Sequence, residues 1–177
     1  MNEEQLTQPQ QYVFFLGGKD AEMERIASVL QAQNIPYHNS SLGWVAKASS
    51  YKDEIQSAIK QGQTPVWVEL QPDIPYEGSV AIDHHGPRAH EPASLLQVLK
   101  LIGVTPSRMD LLIAANDAGY IPAMQKMEAT QGEIDTVRRM DRAAQGVTAE
   151  HEAEAEKALR NVEHIGEMIV VRVPHSK

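Results

Sequence analysis

Between residues 79 and 90 the chain reads SVAIDHHGPRAH: a short apolar run, then Asp83, His84 and His85 in succession, then a glycine and a proline. An apolar segment closed by turn residues reads as a buried strand entering a tight loop. The three ionisable groups therefore fall at the carboxyl end of a strand. Other acids recur in comparable places. Asp20 and Glu22 follow QYVFFLGGK, Glu69 closes PVWVEL, and Asp117 lies in AANDAGY, at the end of an apolar helix beside Gly119. Oxygen and imidazole donors together suit Mn, Mg, Zn or Fe, and a cluster of carboxylates suits a pair of such ions working on phosphate. Thiolate ligands and disulfides are excluded, because the chain has no cysteine.

Each of these residues also has a purely structural reading. Asp20 could do no more than cap a helix, and Glu22 could be an exposed acid in its first turn. Glu69 on an apolar strand needs a partner, whether ion or salt bridge, because an unpaired charge there is costly. Asp83, His84 and His85 could be a hydrogen-bonded loop end, and Asp117 could cap the turn that follows it. Lys19 and the glycines before it could cradle a phosphate at a helix N-terminus, although the stretch fits neither GxGxxG nor a Walker A loop. His38, His151, His164 and His175 have no motif around them and read as surface residues. His90 is distinguished only by lying five residues beyond His85.

The elements that must position these groups alternate between strand and helix. QYVFFLGG predicts a strand ending in a tight turn, and KDAEMERIASVLQAQN a helix with Met23, Ile26, Ala27 and Leu30 on one face and Asp20 as its cap. IPYHNSS predicts a second strand, YKDEIQSAIKQG a short helix, and PVWVEL and SVAID two more strands. The chain then turns helical. EPASLLQVLKLIG has Pro92 near its first turn and Gly103 as a stop, and TPSRMDLLIAAND has Thr105 as cap and Pro106 as first helical residue. GEIDTVRRMDRAAQG and TAEHEAEAEKALRNVEHIG predict two further helices, the second with an apolar stripe of Ala155, Leu159 and Val162. EMIVVRVP predicts a closing strand. Strands separated by helices imply an α/β fold, a parallel sheet flanked by helices followed by a helical C-terminal part. In such a fold the ligand crevice lies at the carboxyl ends of the strands, where Asp20, Glu69, Asp83, His84 and His85 would gather.

Composition narrows the function further. A length of 177 residues fits one domain, expected over 11–177 behind a polar tail at 1–10. Hydrophobic content of 42% and charged content of 23% are ordinary for a soluble globular chain. A net charge of −8 argues against a general nucleic-acid coat, which must neutralise phosphates with cations. It leaves room for one phosphorylated ligand in a local pocket, with Arg88, Arg108, Arg138, Arg139 and Arg142 as candidate contacts or as solvated helix residues. There is no secretory pattern in MNEEQLTQPQQ and no apolar run near the roughly 20 residues that cross a bilayer. No membrane partner and a cytoplasmic location are the expectations.

AIDHHG, and to a lesser degree AANDAGY, resembles the signature of the DHH phosphoesterase superfamily, which includes single-strand exonucleases, oligoribonucleases, cyclic-dinucleotide phosphodiesterases and family II inorganic pyrophosphatases. The resemblance covers roughly residues 11 to 145 in the order of the elements. It implies a DHH-like α/β core whose aspartates and histidines hold divalent metal, usually manganese with magnesium as the other option, and activate water against a phosphoester or phosphoanhydride. Carried over residue by residue, the metal ligands would be Asp20, Glu22, Glu69, Asp83, His84 and Asp117, while His85 and Arg88 would stabilise charge on the transferring phosphoryl group. Asp83, His84 and His85 match the third motif in full, and Asp117 fits the fourth. The first motif lacks its histidine here, and Glu22 and Glu69 stand where the family has aspartates; a glutamate shifts an ion by roughly one C–C bond unless the backbone compensates.

The function implied is a metal-dependent phosphohydrolase or phosphodiesterase acting on a small phosphorylated substrate or a short single-stranded nucleic acid. The alternative is a catalytically degenerate DHH-like domain that binds a nucleotide or organises an assembly. Superfamily enzymes generally carry a second, substrate-binding domain with a glycine- and histidine-rich motif. Residues 145–177, expected as a helix plus a strand, are where such a domain would be joined. The chain ends at VVRVPHSK without that motif, so the expectation is a minimal core or one completed by a second copy or by a partner subunit.

Overall fold

The computed structural model describes residues 11–75 and 77–173. The expected tail at 1–10 and His175 lie outside the described residues. Four parallel strands form the central sheet: β1 (Tyr12–Leu16), β2 (Tyr37–Asn39), β3 (Thr64–Val68) and β4 (Val80–Ile82), in the order β2-β1-β3-β4. From β1 the chain goes first to one side, to β2, and then crosses to the other, to β3. The gap between the ends of β1 and β3 is thus a point where the winding reverses, the place where ligands enter open parallel sheets.

Side chains along β1 alternate between faces, as the strand period of two requires. Phe14 and Leu16 join Val66, Val68 and Ile82 in a core covered by α1 (Ala21–Ala32), α3 (Ser94–Leu101), α4 (Arg108–Lys126) and α5 (Gln131–Ala144). Val13, Phe15 and Trp67 face the other way, against Tyr51, Ile55 and Ala58 of α2 (Lys52–Lys60) and the 3-10 turn before it. The two central strands, β1 and β3, are covered on both sides, and so they read as apolar runs rather than alternating ones. A helix predicted from Met23, Ile26, Ala27 and Leu30 is present, and all four are buried.

Two expectations about the helical half are corrected. Ser107, not Thr105, caps α4: its hydroxyl accepts from the Asp110 amide while the Asp110 carboxylate accepts from the Ser107 amide. This reciprocal box satisfies two end donors that Thr105 would leave open. The first segment of α4 ends just past Asp117, as expected, at a break at Gly119 and Tyr120 whose backbone is non-helical, and a second segment follows. Pro122 then falls in the first turn of the second segment, where a missing amide proton does no harm. Finally, α6 (Ala149–Leu159) ends before Val162 and buries no residue. Beyond it, β5 (Glu163–Ile165) and β6 (Met168–Val170) form a separate antiparallel hairpin. Gly166, at φ +62, sits in the two-residue turn between them, a sequence signal of hairpins that outweighs helical spacing. Among the described residues, no helix is long and apolar enough to cross a membrane.

Candidate metal centre

The carboxyl ends of β1, β3 and β4 and the last turn of the first segment of α4 meet over a cavity of about 380 Å³. Close approach of two of these ends depends on Gly17. A Cβ at Gly17 would collide with the carbonyl of Glu69, so only glycine lets β1 run this near the residue that follows β3. Glu69 itself has φ +53, outside the strand region. Its amide donates to the Ile82 carbonyl at 2.9 Å, which fixes the turn. A non-glycine residue at positive φ is uncommon, and such strain collects at functional sites. Here it turns the Glu69 side chain back over the sheet edge.

His84 is the centre of the arrangement. Its Nε2 lies 2.5 Å from Asp117 Oδ2, 3.4 Å from Glu69 Oε1 and 3.8 Å from Glu22 Oε2. All four atoms are buried, and none makes an aligned hydrogen bond. The imidazolium of His84 pairs with these oxygens, but three buried carboxylates around one cation leave an excess of negative charge that is costly away from water, and a divalent ion in place of the proton would offset it. Donors that bind one ion at ~2.0–2.2 Å stand roughly 3–3.5 Å from one another; the Glu69 oxygen has that spacing from His84 Nε2, the Asp117 oxygen lies closer and the Glu22 oxygen farther. Glu69, His84, His85 and Asp117 each offer a donor atom within 4.8 Å of the others. The donor set therefore fits a hard or borderline divalent cation. Asp117 adds to the argument. A carboxylate in the last turn of a helix segment meets the negative end of its dipole, and a cation relieves that.

Each candidate from the sequence has a definite place. Glu22 is buried rather than an exposed first-turn acid: its Oε1 accepts from the Leu95 amide at 2.9 Å, leaving Oε2 for His84. Asp20 does cap α1, accepting from the Met23 amide at 2.9 Å, and also lines the cavity without joining the close group around His84. Asp83 accepts from the His85 amide at 2.9 Å and lies 3.0 Å from His85 Nδ1. It orients the half-exposed His85 ring toward the cavity rather than reaching the His84 cluster. Arg88 is placed elsewhere. Its guanidinium makes two hydrogen bonds of 2.7 Å to Glu91 and one of 3.0 Å to the Ala81 carbonyl, and it does not line the cavity. An acid three residues on holds its guanidinium away from the cavity lining.

Residues that the sequence did not single out complete the wall. Asp141, buried on α5, accepts from the Ala21 amide and from Arg138, which also donates to Asn116 and lies over the Tyr120 ring. This ties α1, α4 and α5 together beneath the cavity. The arginine was a candidate phosphate contact, but its charge is already matched by Asp141. A buried acid between arginines in VRRMDRAA was the available sign. Trp44, on the loop after β2, reaches the rim with its ring 5.6 Å from that of His85.

The electrostatics record an excess of negative charge. Asp117 and then Glu69 raise the His84 imidazolium to about 10 against its burial. Burial pushes Glu22 well above the usual carboxylate range, helped by Asp117 and Glu69. Burial also raises Asp20 to about 6, opposed by the Met23 amide and reinforced by Glu69, Asp117 and Asp141. Glu69 goes the other way: burial would raise it, but His84, Ser94 and His85 together hold it below its ordinary value.

A pH dependence follows. For His84 the folded value exceeds the ordinary 6.5, so its stabilising contribution is complete below 6.5 and is lost as pH rises through about 10. Glu22 and Asp20 carry the same sign. A divalent ion needs neutral imidazole and ionised carboxylates, so its binding must expel protons. Manganese affinity should therefore climb about tenfold per pH unit for each proton released between pH 6 and 8. Calorimetry in two buffers of different ionisation enthalpy checks this, and affinity independent of pH would contradict it. Matched against protein-family models, curated proteins and solved structures, the chain finds no match in any of the three.

Proposed function

We propose that this chain is a metal-dependent phosphohydrolase of the DHH type, using manganese or magnesium on a small phosphorylated substrate or a short oligonucleotide. The observation that carries the reading is the convergence of Glu22 Oε2, Glu69 Oε1, His84 Nε2 and Asp117 Oδ2, buried and without hydrogen bonds, at the carboxyl edge of a parallel sheet. A bound divalent ion supplies a Lewis acid for phosphoryl oxygens and lowers the pKa of a water. The chain's residues do the rest. His84, Glu69 and Asp117 hold the ion, with Glu22 behind them, anchored on the Leu95 amide. His85, with Nδ1 held by Asp83, would present its other ring nitrogen toward a phosphate at the cavity mouth, where its imidazolium form, with both nitrogens as donors, would donate to charge that develops on the transferring group. Asp20, which caps α1 and lines the cavity, would face a ligand from the β1 side.

A second reading, a module that binds one ion and a nucleotide without turnover, has one specific observation in its favour. Among the described residues, a single group of mutually close donors forms, Glu69, His84, His85 and Asp117, and Asp20, Glu22 and Asp83 stand outside it. Turnover separates the two. With added manganese the protein should hydrolyse at least one of bis(p-nitrophenyl) phosphate, pyrophosphate, a cyclic dinucleotide or a short oligonucleotide, and EDTA should abolish it. Bound metal with no turnover on any of the four would favour the binding module.

A further inference from the structure

The loop from Ser40 to Lys47 puts a tryptophan where a soluble protein has least reason to keep one. Trp44 is 86% exposed, the most exposed of the large hydrophobic side chains described, whereas Trp67 is buried at 1%. Tryptophan is highly buried on average because it removes so much apolar surface from water. Fraying does not explain its position, because both ends of the loop are tied to the core. The Ser40 amide donates to Tyr51 Oη at 2.8 Å, and that hydroxyl donates to the Leu16 carbonyl at 2.8 Å. On the other side the Gln71 amide donates to the Ala46 carbonyl at 2.8 Å, and the Ala48 amide to the Gln71 carbonyl at 3.0 Å. Leu42 packs against the core on the α2 side of the sheet.

Between these anchors the backbone is strained. Ser41 has φ +49 and Val45 φ +65. For a β-branched residue such as Val45 this conformation is a genuine outlier, held only where the surroundings impose it. The result is an indole at the cavity rim, its ring 5.6 Å from the His85 ring at 62°. One ligand could therefore touch both rings, with a phosphate toward His85 and a flat group against Trp44.

Resting on the metal-dependent phosphate reading above, we infer that Trp44 is a stacking platform for a planar heteroaromatic group carried by the phosphorylated ligand, so that the site prefers a nucleotide to an inorganic or sugar phosphate. Every nucleobase has a π-face, and stacking on an aromatic side chain is sequence-tolerant. Trp44 would then be a specificity residue that sorts ligands by the group attached to the phosphate, while the buried cluster treats all phosphates alike. It touches the ligand and takes no part in holding the ion.

The test compares AMP with ribose 5-phosphate, both with manganese present, by calorimetry and by tryptophan fluorescence. AMP should bind more tightly and quench the exposed emission of Trp44. Trp44→Ala should weaken AMP by roughly tenfold or more, as losing a base–aromatic stack does, and leave ribose 5-phosphate unchanged. Trp44→Phe should restore most of the loss. Because the ring is exposed, all three proteins should melt at the same temperature. Equal binding of the two probes, with no effect of Trp44→Ala, would overturn the platform and leave the metal-phosphate reading standing. Failure of both probes to bind would overturn both. If Trp44→Ala changed only the sedimentation of the protein, the ring would be a protein contact and the inference would fall.

Discussion

His84→Ala should lose manganese binding by at least about 100-fold, because even residues that merely orient metal ligands change affinity by about 10–100-fold. His84 Nε2 lies at the focus of Asp117, Glu69 and Glu22, so no neighbouring donor can take its place. The variant should also be less stable without metal, since it strips buried carboxylates of their counter-charge. His85→Ala should behave differently. Its ring is 40% exposed and is held by Asp83 at 3.0 Å, so its removal should leave most of the metal affinity intact. Turnover should fall by roughly 10²–10³, the usual effect of deleting one donor that stabilises a developing anion. Metal titrations and saturation kinetics on the two variants check the division. Equal loss of metal in both would mean that the two histidines act as equivalent ligands.

Glu69→Gln should be nearly as damaging. The substitution keeps the shape and the backbone strain at φ +53 but removes the charge that faces His84 and His85. Manganese affinity should fall by one to two orders of magnitude, on the same scale as the histidine. Glu54→Gln, an exposed acid on α2, is the control and should change stability by under about 0.5 kcal/mol. Glu69→Gly offers an independent check, since it relieves the positive φ and removes a buried charge together. It should abolish metal binding, and in the metal-free protein the relief of the positive φ should offset part of the stability lost with the His84 ion pair. If Glu69→Gln binds manganese like the parent, the residue is structural, and the ion rests on His84 and Asp117 with Glu22.

The centre of the sheet was legible because β1 and β3 are buried on both faces. QYVFFL, PVWVEL and SVAID are mostly apolar runs, and they deliver Gly17, Glu69 and Asp83 to the cavity lining. The first four helices gave themselves away by apolar spacing, Met23 to Leu30 most clearly. What the sequence hid was decided at a distance or by competition between local signals. Glu22 looks like any first-turn acid until the Leu95 amide, far along the chain, takes one of its oxygens. Arg88 looks free until Glu91 is seen to hold it. Val162 fits a helical stripe, but the turn at Gly166 pulls the segment into a hairpin. Asp141 and Trp44 belong to no motif, because their role comes only from where α5 and the loop after β2 settle. Of the site itself, Asp83, His84, His85 and Asp117 could be chosen from the chain alone, whereas the strained turn at Glu69 and its dependence on Gly17 could not.

The most direct measurement is the metal itself: elemental analysis of the purified protein, followed by thermal denaturation across a manganese titration. The account predicts at least one divalent ion per chain. At 100 times the dissociation constant, binding adds about 2.7 kcal/mol, and for a domain of this size that raises the melting temperature by roughly 5–10 °C. A flat response up to millimolar manganese, together with no metal in the protein, would contradict the account and leave four buried polar atoms that need another explanation.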